Sequence, residues 1–389
     1  MQLKQRYNHL KINLSGQSVD SVNYTLYRFL CLLLTVFISG CADISYYMQS
    51  VDGHLSIIHK TQKIDDLLED ANTSPELKKR LELVTQIRLY AIEQMHLPES
   101  DSYTIYADLG RKYVLRNLFA AQELSIKPKQ WCYPVVGCAG YRGYFNIQQL
   151  ERFADNLKQQ GYDIYISNVP AYSTLGWFDD PVLNTFINWP DYLLAGLIFH
   201  ELSHQHVYVD GDTQFNESFA VTVQQAGVTS WLKSLGKEDQ VTRFQAYLSN
   251  RQQVINLIIQ TREELKQAYA ENIETSEKRL IKQRIMSGLK TKYQQMSSEF
   301  EVADGFSRWF AADINNAQLA SISTYYADVP VFKKFLDDAD NDFEVFLKRI
   351  KNIAELPEKK RNRCMQYLRQ TTRQQSAVAL SLPVECAGN

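Results

Sequence analysis

Apolar residues recur at helical spacing over most of the chain, while strand-like alternation is confined to short stretches. The clearest helical pattern follows a Ser-Pro-Glu segment at 74–76 and runs through Leu77, Leu81, Val84, Ile87 and Ala91. Serine caps a helix, proline suits its first turn and an acid suits its positive end, so a helix is predicted to begin there. A helical region is also expected to begin near His54.

The middle of the chain mixes helix and strand signals. Residues 146–160 show a helical pattern that ends at Gly161, and residues 163–169 then alternate apolar and polar side chains. These features predict a helix followed by a strand. Shorter apolar runs at 113–118 and 131–136 also favour strands.

The second half of the chain is predicted to be almost entirely helical. Helices are expected at about 190–208 and 213–234, followed by a charged, glutamine-rich helical hairpin at about 237–300 and a helical part at about 305–389. The fold class is therefore α+β and predominantly α, with a small sheet near the helix at 190–208. The expected core of the folded unit is about 100–235.

An apolar run at 29–38 stands near the beginning of the sequence. Arg28 precedes this run, and Ser39 and Gly40 follow it. Ten residues are too few to span a bilayer, but the length, the basic flank and the small residues are typical of a secretory signal. Residues 1–40 are thus predicted to be a signal peptide. A buried core strand is the alternative.

The segment Ile38 to Cys41 resembles a bacterial lipobox, which would make Cys41 the lipid-modified first residue of a mature unit at 41–389. Ala42, rather than aspartate, follows the cysteine. By bacterial sorting habits this favours the outer membrane, so we expect an exported lipoprotein on its periplasmic face.

The composition excludes few classes of function. The 389 residues are 45% hydrophobic and 22% charged, with a formal net charge of -2. No electrostatic feature of the sequence suggests a nucleic-acid partner.

Cysteine usage agrees with export. Once Cys31 leaves with the signal and Cys41 is lipidated, four cysteines remain, which are Cys132, Cys138, Cys364 and Cys386. An even number suits two disulfides. Four cysteines permit three pairings, and the local pairs, 132 with 138 and 364 with 386, are favoured. A zinc site made of all four is less favoured because no CxxC spacing occurs.

The segment 200–204 reads His-Glu-Leu-Ser-His. Residues i and i+4 share one face of a helix, so His200 and His204 can ligate one metal ion. In zinc peptidases the intervening carboxylate, here Glu201, is a general base for the attacking water. The alternative is a partly buried helix with two histidines and a glutamate but no metal.

A catalytic zinc usually takes a third protein ligand. Asp210 has the spacing of a metzincin ligand, but that motif needs a glycine where this chain has Val207. His206 lies on a different helix face from His204. Glu217 is favoured, because residues 211–213 break the first helix and a second helix can return towards the metal. As an alternative, Glu217 is a solvated acid stabilised by the helix dipole.

Beyond these residues, the chain resembles a family of bacterial proteins described as zinc aminopeptidases, within the gluzincin-like group. The shared segments are 131–138 (WCYPVVGC), 141–145 (YRGYF), 171–181 (AYSTLGWFDDP), 200–205 (HELSHQ) and 211–220 (GDTQFNESFA), with later similarity at Asn315 to Ala317, Tyr325 and Val329-Pro330. Several long motifs in one order cover most of the mature chain.

The resemblance implies a zincin-like metallopeptidase fold and one Zn²⁺ per chain. His200, His204 and Glu217 would then be the zinc ligands and Glu201 the general base. The chain lacks the GxMEN signature with which better-known zinc aminopeptidases hold the free amine of a substrate. The aminopeptidase activity is therefore implied by the resemblance alone.

Two further parts of the sequence are candidates for the catalytic cleft. Residues 171–181 precede the metal-site helix and are rich in polar and aromatic side chains, so they form either a cleft wall or a packed loop. Tyr325 is either a hydrogen-bond donor to a developing oxyanion, as tyrosines are in related gluzincins, or a buried structural tyrosine.

The sequence thus predicts a zinc-dependent peptidase, with aminopeptidase as the first reading and an endopeptidase of envelope proteins as the nearest alternative. A noncatalytic lipoprotein scaffold is the alternative from another class, and Glu201 argues against it because a structural zinc site needs no general base. The expected partners are a peptide or protein substrate and, through the N-terminal lipid, a membrane.

Overall fold

The computed structural model describes residues 44–133, 137–171, 179–322, 328–374 and residue 386. The predicted signal peptide, Cys41, Tyr325 and most of the segment 171–181 therefore lie outside the described residues. The chain divides into two compact units, Met1–Asp52 and Gly53–Asn389. Residues 44–58 are helical, of which 44–52 belong to the first unit, so helical structure is already present before the predicted start at His54.

The second unit contains helices and short strands. Its strands are β1 (Thr61–Lys63), β2 (Ile105–Ala107), β3 (Leu115–Gln122), β4 (Trp131–Tyr133), β5 (Gly137–Ala139), β6 (Arg142–Tyr144), β7 (Tyr162–Val169) and β8 (Val182–Leu183). Its helices are α1 (Ile64–Glu69), α2 (Pro75–Glu93), α3 (Ile147–Gln159), α4 (Asp191–His206), α5 (Thr213–Ser234), α6 (Glu238–Ala270), α7 (Thr275–Ser298), α8 (Ser307–Phe310), α9 (Asn316–Ala320), α10 (Val329–Asp337), α11 (Phe343–Ala354) and α12 (Glu358–Gln374). The predicted class, α+β with mostly helix and small sheets, is confirmed.

The strands form three small sheets. In the first, β2 pairs antiparallel with β1 and parallel with β8. In the second, β3 pairs antiparallel with both β6 and β7, and its register places Leu115 opposite Val169 and Gln122 opposite Tyr162. The third is the β4–β5 hairpin, in which Cys132 lies opposite Cys138.

Helices α4 and α5 pack closely and run in opposite directions in the main core. Two glycines permit this approach, because a Cβ atom at Gly196 would lie 3.1 Å from Gln224 Nε2 and one at Gly227 would lie 2.8 Å from Phe199 Cδ2. The apolar face of α2 covers the same core with Leu81, Val84, Ile87 and Ala91, all fully buried. Nearly continuous apolar burial makes α4 an internal helix.

The glutamine-rich region contains helices α6 and α7, which share an apolar cluster that includes Leu257, Leu265, Leu289 and Tyr293. Polar contacts fasten α7 to the second sheet: Lys282 Nζ donates to Asp163 Oδ2 at 2.7 Å and to the carbonyl of Glu123 at 2.8 Å. The apolar cluster thus joins α6 to α7, and the charged contacts of Lys282 join α7 to the second sheet.

Both disulfides predicted from local pairing are present, Cys132–Cys138 and Cys364–Cys386. The first links adjacent strands and the second ties α12 to residue 386. Among the described residues, no helix is both long and apolar enough to cross a membrane.

Candidate metal centre

Helix α4 is fixed at its first turn by α2. Arg80 donates from Nη1 to Asp191 Oδ1 at 2.6 Å, from Nε to the carbonyl of Ile187 at 2.8 Å and from Nη2 to the carbonyl of Trp189 at 2.8 Å. One guanidinium thus satisfies a first-turn acid and two carbonyls before the helix. These hydrogen bonds fix the N-terminal turn of α4, which precedes the turns that carry His200 and His204.

The turn between α4 and α5 returns the chain towards the histidines. Gly211 has φ +77°, a left-handed conformation that glycine adopts without strain. Asp212 Oδ1 then caps α5 by accepting from the backbone N–H of Phe215 at 3.1 Å. The backbone N–H of Val209 donates to Asn216 Oδ1, and Asn216 Nδ2 donates to the carbonyl of Val209, each at 2.8 Å. These contacts define where Glu217 enters the core.

The structure brings together three of the residues singled out in the sequence. One ligand atom each from His200, His204 and Glu217 lies within 4.8 Å of the others. His200 Nε2 is 3.3 Å from Glu217 Oε2, and these two side chains are only 15% and 19% exposed. The rings of His200 and His204 lie 5.0 Å apart between centroids. Glu217 is therefore not the solvated first-turn acid of the alternative interpretation.

The three groups differ in their electrostatics. Burial lowers the pKa of His200, but the hydrogen bond to Glu217 and the charges of Glu201 and Glu217 outweigh it, so the pKa is raised. Burial also opposes ionisation of Glu217, yet His200 and His204 hold its pKa below the usual value. Burial, reinforced by His200, lowers the pKa of His204 to about 4. His204 is thus a neutral imidazole at physiological pH.

This donor set fits a zinc ion. Two imidazole nitrogens and one carboxylate oxygen are the ligands of a common catalytic zinc site, in which a fourth position stays open. His204 Nδ1 is buried and has no hydrogen-bond partner among the described residues. A cation shared by the three side chains would compensate the burial of Glu217, as the proton held with His200 does in its absence.

Glu201 lies in the same turns of α4, next to His200, and is partly exposed. Its charge reaches the buried Tyr103: burial first, then Glu201 and Asp180, raise the pKa of that phenol well above its ordinary value. The loop carrying Tyr103 is tied to α4 by Gln205, which donates to Ser102 Oγ at 2.9 Å. Glu201 is therefore partly open to solvent and close enough to Tyr103 for its charge to affect that phenol.

A second layer of contacts holds the first turns of α5. Asp328 is fully buried and receives hydrogen bonds from Arg369 and, at 2.9 Å, from Gln214 Nε2. Its backbone N–H donates to Ser218 Oγ at 3.2 Å. Arg361, also in α12, approaches the cap residue Asp212 at 3.5 Å. The C-terminal helix thus supports the segment that presents Glu217.

The other candidate ligands lie apart from this cluster. Asp210 is exposed, and Asp212 caps α5. His206 faces α11, where its pKa is lowered by burial more than the backbone of Leu347 raises it. Neither Tyr325 nor the greater part of 171–181 can be placed, because they lie outside the described residues.

Tyr208 is a residue of the site that the sequence did not indicate. Its side chain is 43% exposed, and its ring centroid lies 6.2 Å from that of His204. Burial, followed by the charges of Glu217 and Asp210, raises the pKa of its phenol. Tyr208 lies beyond the end of α4 at His206, after the extended residue Val207, so helical spacing does not predict its position beside His204.

Fold and site together describe a mainly helical α+β chain with a buried histidine, histidine and glutamate cluster. Residues 45–365 match the family model described as "Putative aminopeptidase", and the chain belongs to that family. Comparison with curated proteins and with solved structures gives no match. The family description indicates a peptidase, and hence a peptide or protein substrate.

Proposed function

We propose that the chain is a zinc-dependent peptidase, with aminopeptidase as its preferred mode. The observation that carries this proposal is the convergence of His200, His204 and Glu217, whose ligand atoms lie within 4.8 Å of one another. The family description supports peptide hydrolysis, and the placement of Glu201 beside this cluster supports a catalytic rather than a structural site.

In the proposed mechanism His200, His204 and Glu217 hold one zinc ion. Zinc supplies Lewis-acid polarisation of the scissile carbonyl and makes an attacking water more acidic. The carboxylate of Glu201 accepts a proton from the attacking water and delivers it to the leaving amine nitrogen. The low pKa of His204 keeps its nitrogen lone pair available as a ligand. Tyr325 remains a proposed donor to the developing oxyanion.

We also propose that the chain is an exported lipoprotein with Cys41 as the acylated residue, located on the periplasmic face of the outer membrane. The lipobox-like segment 38–41 supports the anchor. The two disulfides are typical of an oxidising compartment and support export.

The test measures metal content and hydrolysis on the same preparations. Purified protein should contain about one zinc per chain, as a three-ligand catalytic site requires. Glu217→Ala should lose zinc and activity together, whereas Glu201→Gln should keep zinc and lose activity. Asp210→Asn, which changes an exposed acid outside the cluster, should keep both.

Substrate preference is measured with aminoacyl substrates, their N-acetylated counterparts and internally quenched peptides. Cleavage that requires a free amine supports an aminopeptidase, and cleavage of the quenched peptides alone indicates an endopeptidase. Zinc binding with no hydrolysis of any of them, or no zinc after reconstitution, would overturn the peptidase proposal in favour of a scaffold.

A further inference from the structure

The described part of the first unit, residues 44–52, is a helix with an exposed apolar face. Ile44 is 48% exposed, Tyr47 42%, Met48 67% and Val51 58%. At 100° per residue, these four positions fall within a sector of about 100° on the helix surface, the width of a buried apolar face in an ordinary amphipathic helix. We name these four residues the apolar stripe.

Apart from the half-buried Tyr46, the other residues of 44–52 are polar. Ser45 and Asp52 are exposed on one flank of the apolar stripe, and the buried Gln49 lies beyond them. No charged side chain occurs between Ile44 and Val51. Scattered exposed apolar residues are common, but a contiguous strip of them marks an interaction surface.

The position of the apolar stripe in the chain identifies its partner. Ile44 follows Cys41 by three residues, which reach at most about 10 Å even when fully extended. Interfacial helices bury their apolar faces about 5–10 Å into the boundary between headgroups and acyl chains. An acyl group on Cys41 therefore holds the first turn of the helix within reach of that boundary.

We propose that the apolar stripe lies in the interfacial layer of a phospholipid bilayer and contacts acyl chains directly. This inference rests on the proposed lipid attachment at Cys41 and is independent of the proposed hydrolysis. The helical residues run without a break from Ile44 to Ile58, about 22 Å, which is still too short to span a bilayer, so the helix lies along the surface. Tyr47 suits the headgroup level, where tyrosine is enriched.

The test uses the acylated protein reconstituted in vesicles of phosphatidylethanolamine and phosphatidylglycerol, with a diazirine on some acyl chains. After irradiation, lipid adducts are mapped by mass spectrometry. The peptide covering 44–52 should carry about tenfold more label than the peptide with Leu280, an apolar residue on α7 that is 63% exposed, because only the first inserts into the bilayer. Met48→Ser with Val51→Ser should remove most of this label, and Leu280→Ser should leave it unchanged.

Equal labelling of the two peptides would overturn the proposal, as would cross-linking of 44–52 to protein in place of lipid. The mass of the N-terminal peptide reports acylation in the same sample, and an unmodified Cys41 would remove the anchor on which the inference rests. Peptide hydrolysis assayed beside it shows separately whether the proposed catalytic function holds.

Discussion

The side chain of His204 is buried, and its imidazole stays neutral down to a pH of about 4, because burial lowers its pKa from 6.5. In the unfolded, metal-free chain the same ring takes up a proton near pH 6.5. As the pH falls below 6.5, His204 binds a proton in the unfolded state but not in the folded state. The contribution of His204 to the free energy of unfolding therefore decreases between pH 6.5 and pH 4.

This loss amounts to at most about 3 kcal/mol for the metal-free protein. We expect His204→Gln to remove this loss. The free energy of unfolding of the variant should therefore rise relative to that of the wild type as the pH falls from 7 to 4. Denaturant unfolding of chelated samples across this range measures the effect. His59→Gln, at an exposed histidine, should keep the wild-type profile. Parallel profiles for His204→Gln and wild type would contradict the expectation.

Tyr208 presents a phenol at the exposed edge of the candidate metal centre. Its raised pKa keeps it protonated, so it can donate a hydrogen bond to an oxyanion developing on a substrate. Tyr208→Phe should lower kcat by about 100-fold with zinc content unchanged.

The matched control is Tyr367→Phe, at a tyrosine that is 44% exposed on α12. Tyr325→Phe in the same assay shows which tyrosine supplies the donor. An unchanged kcat for Tyr208→Phe, with a loss in Tyr325→Phe, would assign the role to Tyr325 instead.

At the scale of elements, the spacing of α4 and α5 depends on glycine. A methyl group at Gly227 would collide with Met95 and with the fully buried Phe199. Gly227→Ala should therefore lower the free energy of unfolding by about 1–3 kcal/mol.

Gly288→Ala is the matched control, because Gly288 lies in α7 with nothing within 4 Å of the added methyl group. It should raise the free energy of unfolding by up to about 1 kcal/mol through helix propensity. Denaturant midpoints of the two variants measure the difference. A Gly227→Ala protein as stable as Gly288→Ala would show that the helix pair relaxes freely.

The elements themselves were largely predictable from local patterns. Asn146 and Gly161 bound helix α3 where the sequence indicated, and the HELSH spacing placed both imidazoles on one face of α4. The return of α5 towards α4 followed from the break at 211–213. These features depend on residues close in the chain, so the sequence carries their signal.

The supports of the site were not predictable in the same way. Asp328 contacts Gln214 and Ser218 across more than a hundred residues of chain, and Tyr208 gains its importance only from the approach of Glu217. The spacing of apolar residues along the chain reports local structure and does not indicate contacts between such distant segments. The helix at 44–58 was predicted to begin too late, near His54, because the apolar side chains of its first turns are exposed rather than packed and adjoin a segment that was assigned to processing.

At the scale of the second unit, α12 supplies the cationic partner of a buried carboxylate near the candidate metal centre. Asp328 is 0% exposed, and Arg369 is its cationic partner. Arg369→Met would leave this carboxylate buried with Gln214 as its remaining side-chain donor among the described contacts, and should lower the free energy of unfolding by about 3 kcal/mol.

The double variant Asp328→Asn with Arg369→Met should recover part of this loss, since no uncompensated charge remains. Lys333→Met breaks an exposed pair with Asp337 and should cost less than about 1 kcal/mol. Chemical denaturation of the set gives the coupling energy. Equal losses for Arg369→Met and Lys333→Met would show that the buried pair contributes no more than a surface pair.

The contacts of Arg361 and Arg369 also set an order of events. A chain is synthesised from its N-terminus, so α4 and α5 leave the ribosome before α12. Until α12 follows, Asp212 and Asp328 lack their arginine partners, and the turn that presents Glu217 lacks its support. The candidate metal centre is thus completed only when α12 has been synthesised and has packed against α5, and a partly synthesised chain carries an incomplete site.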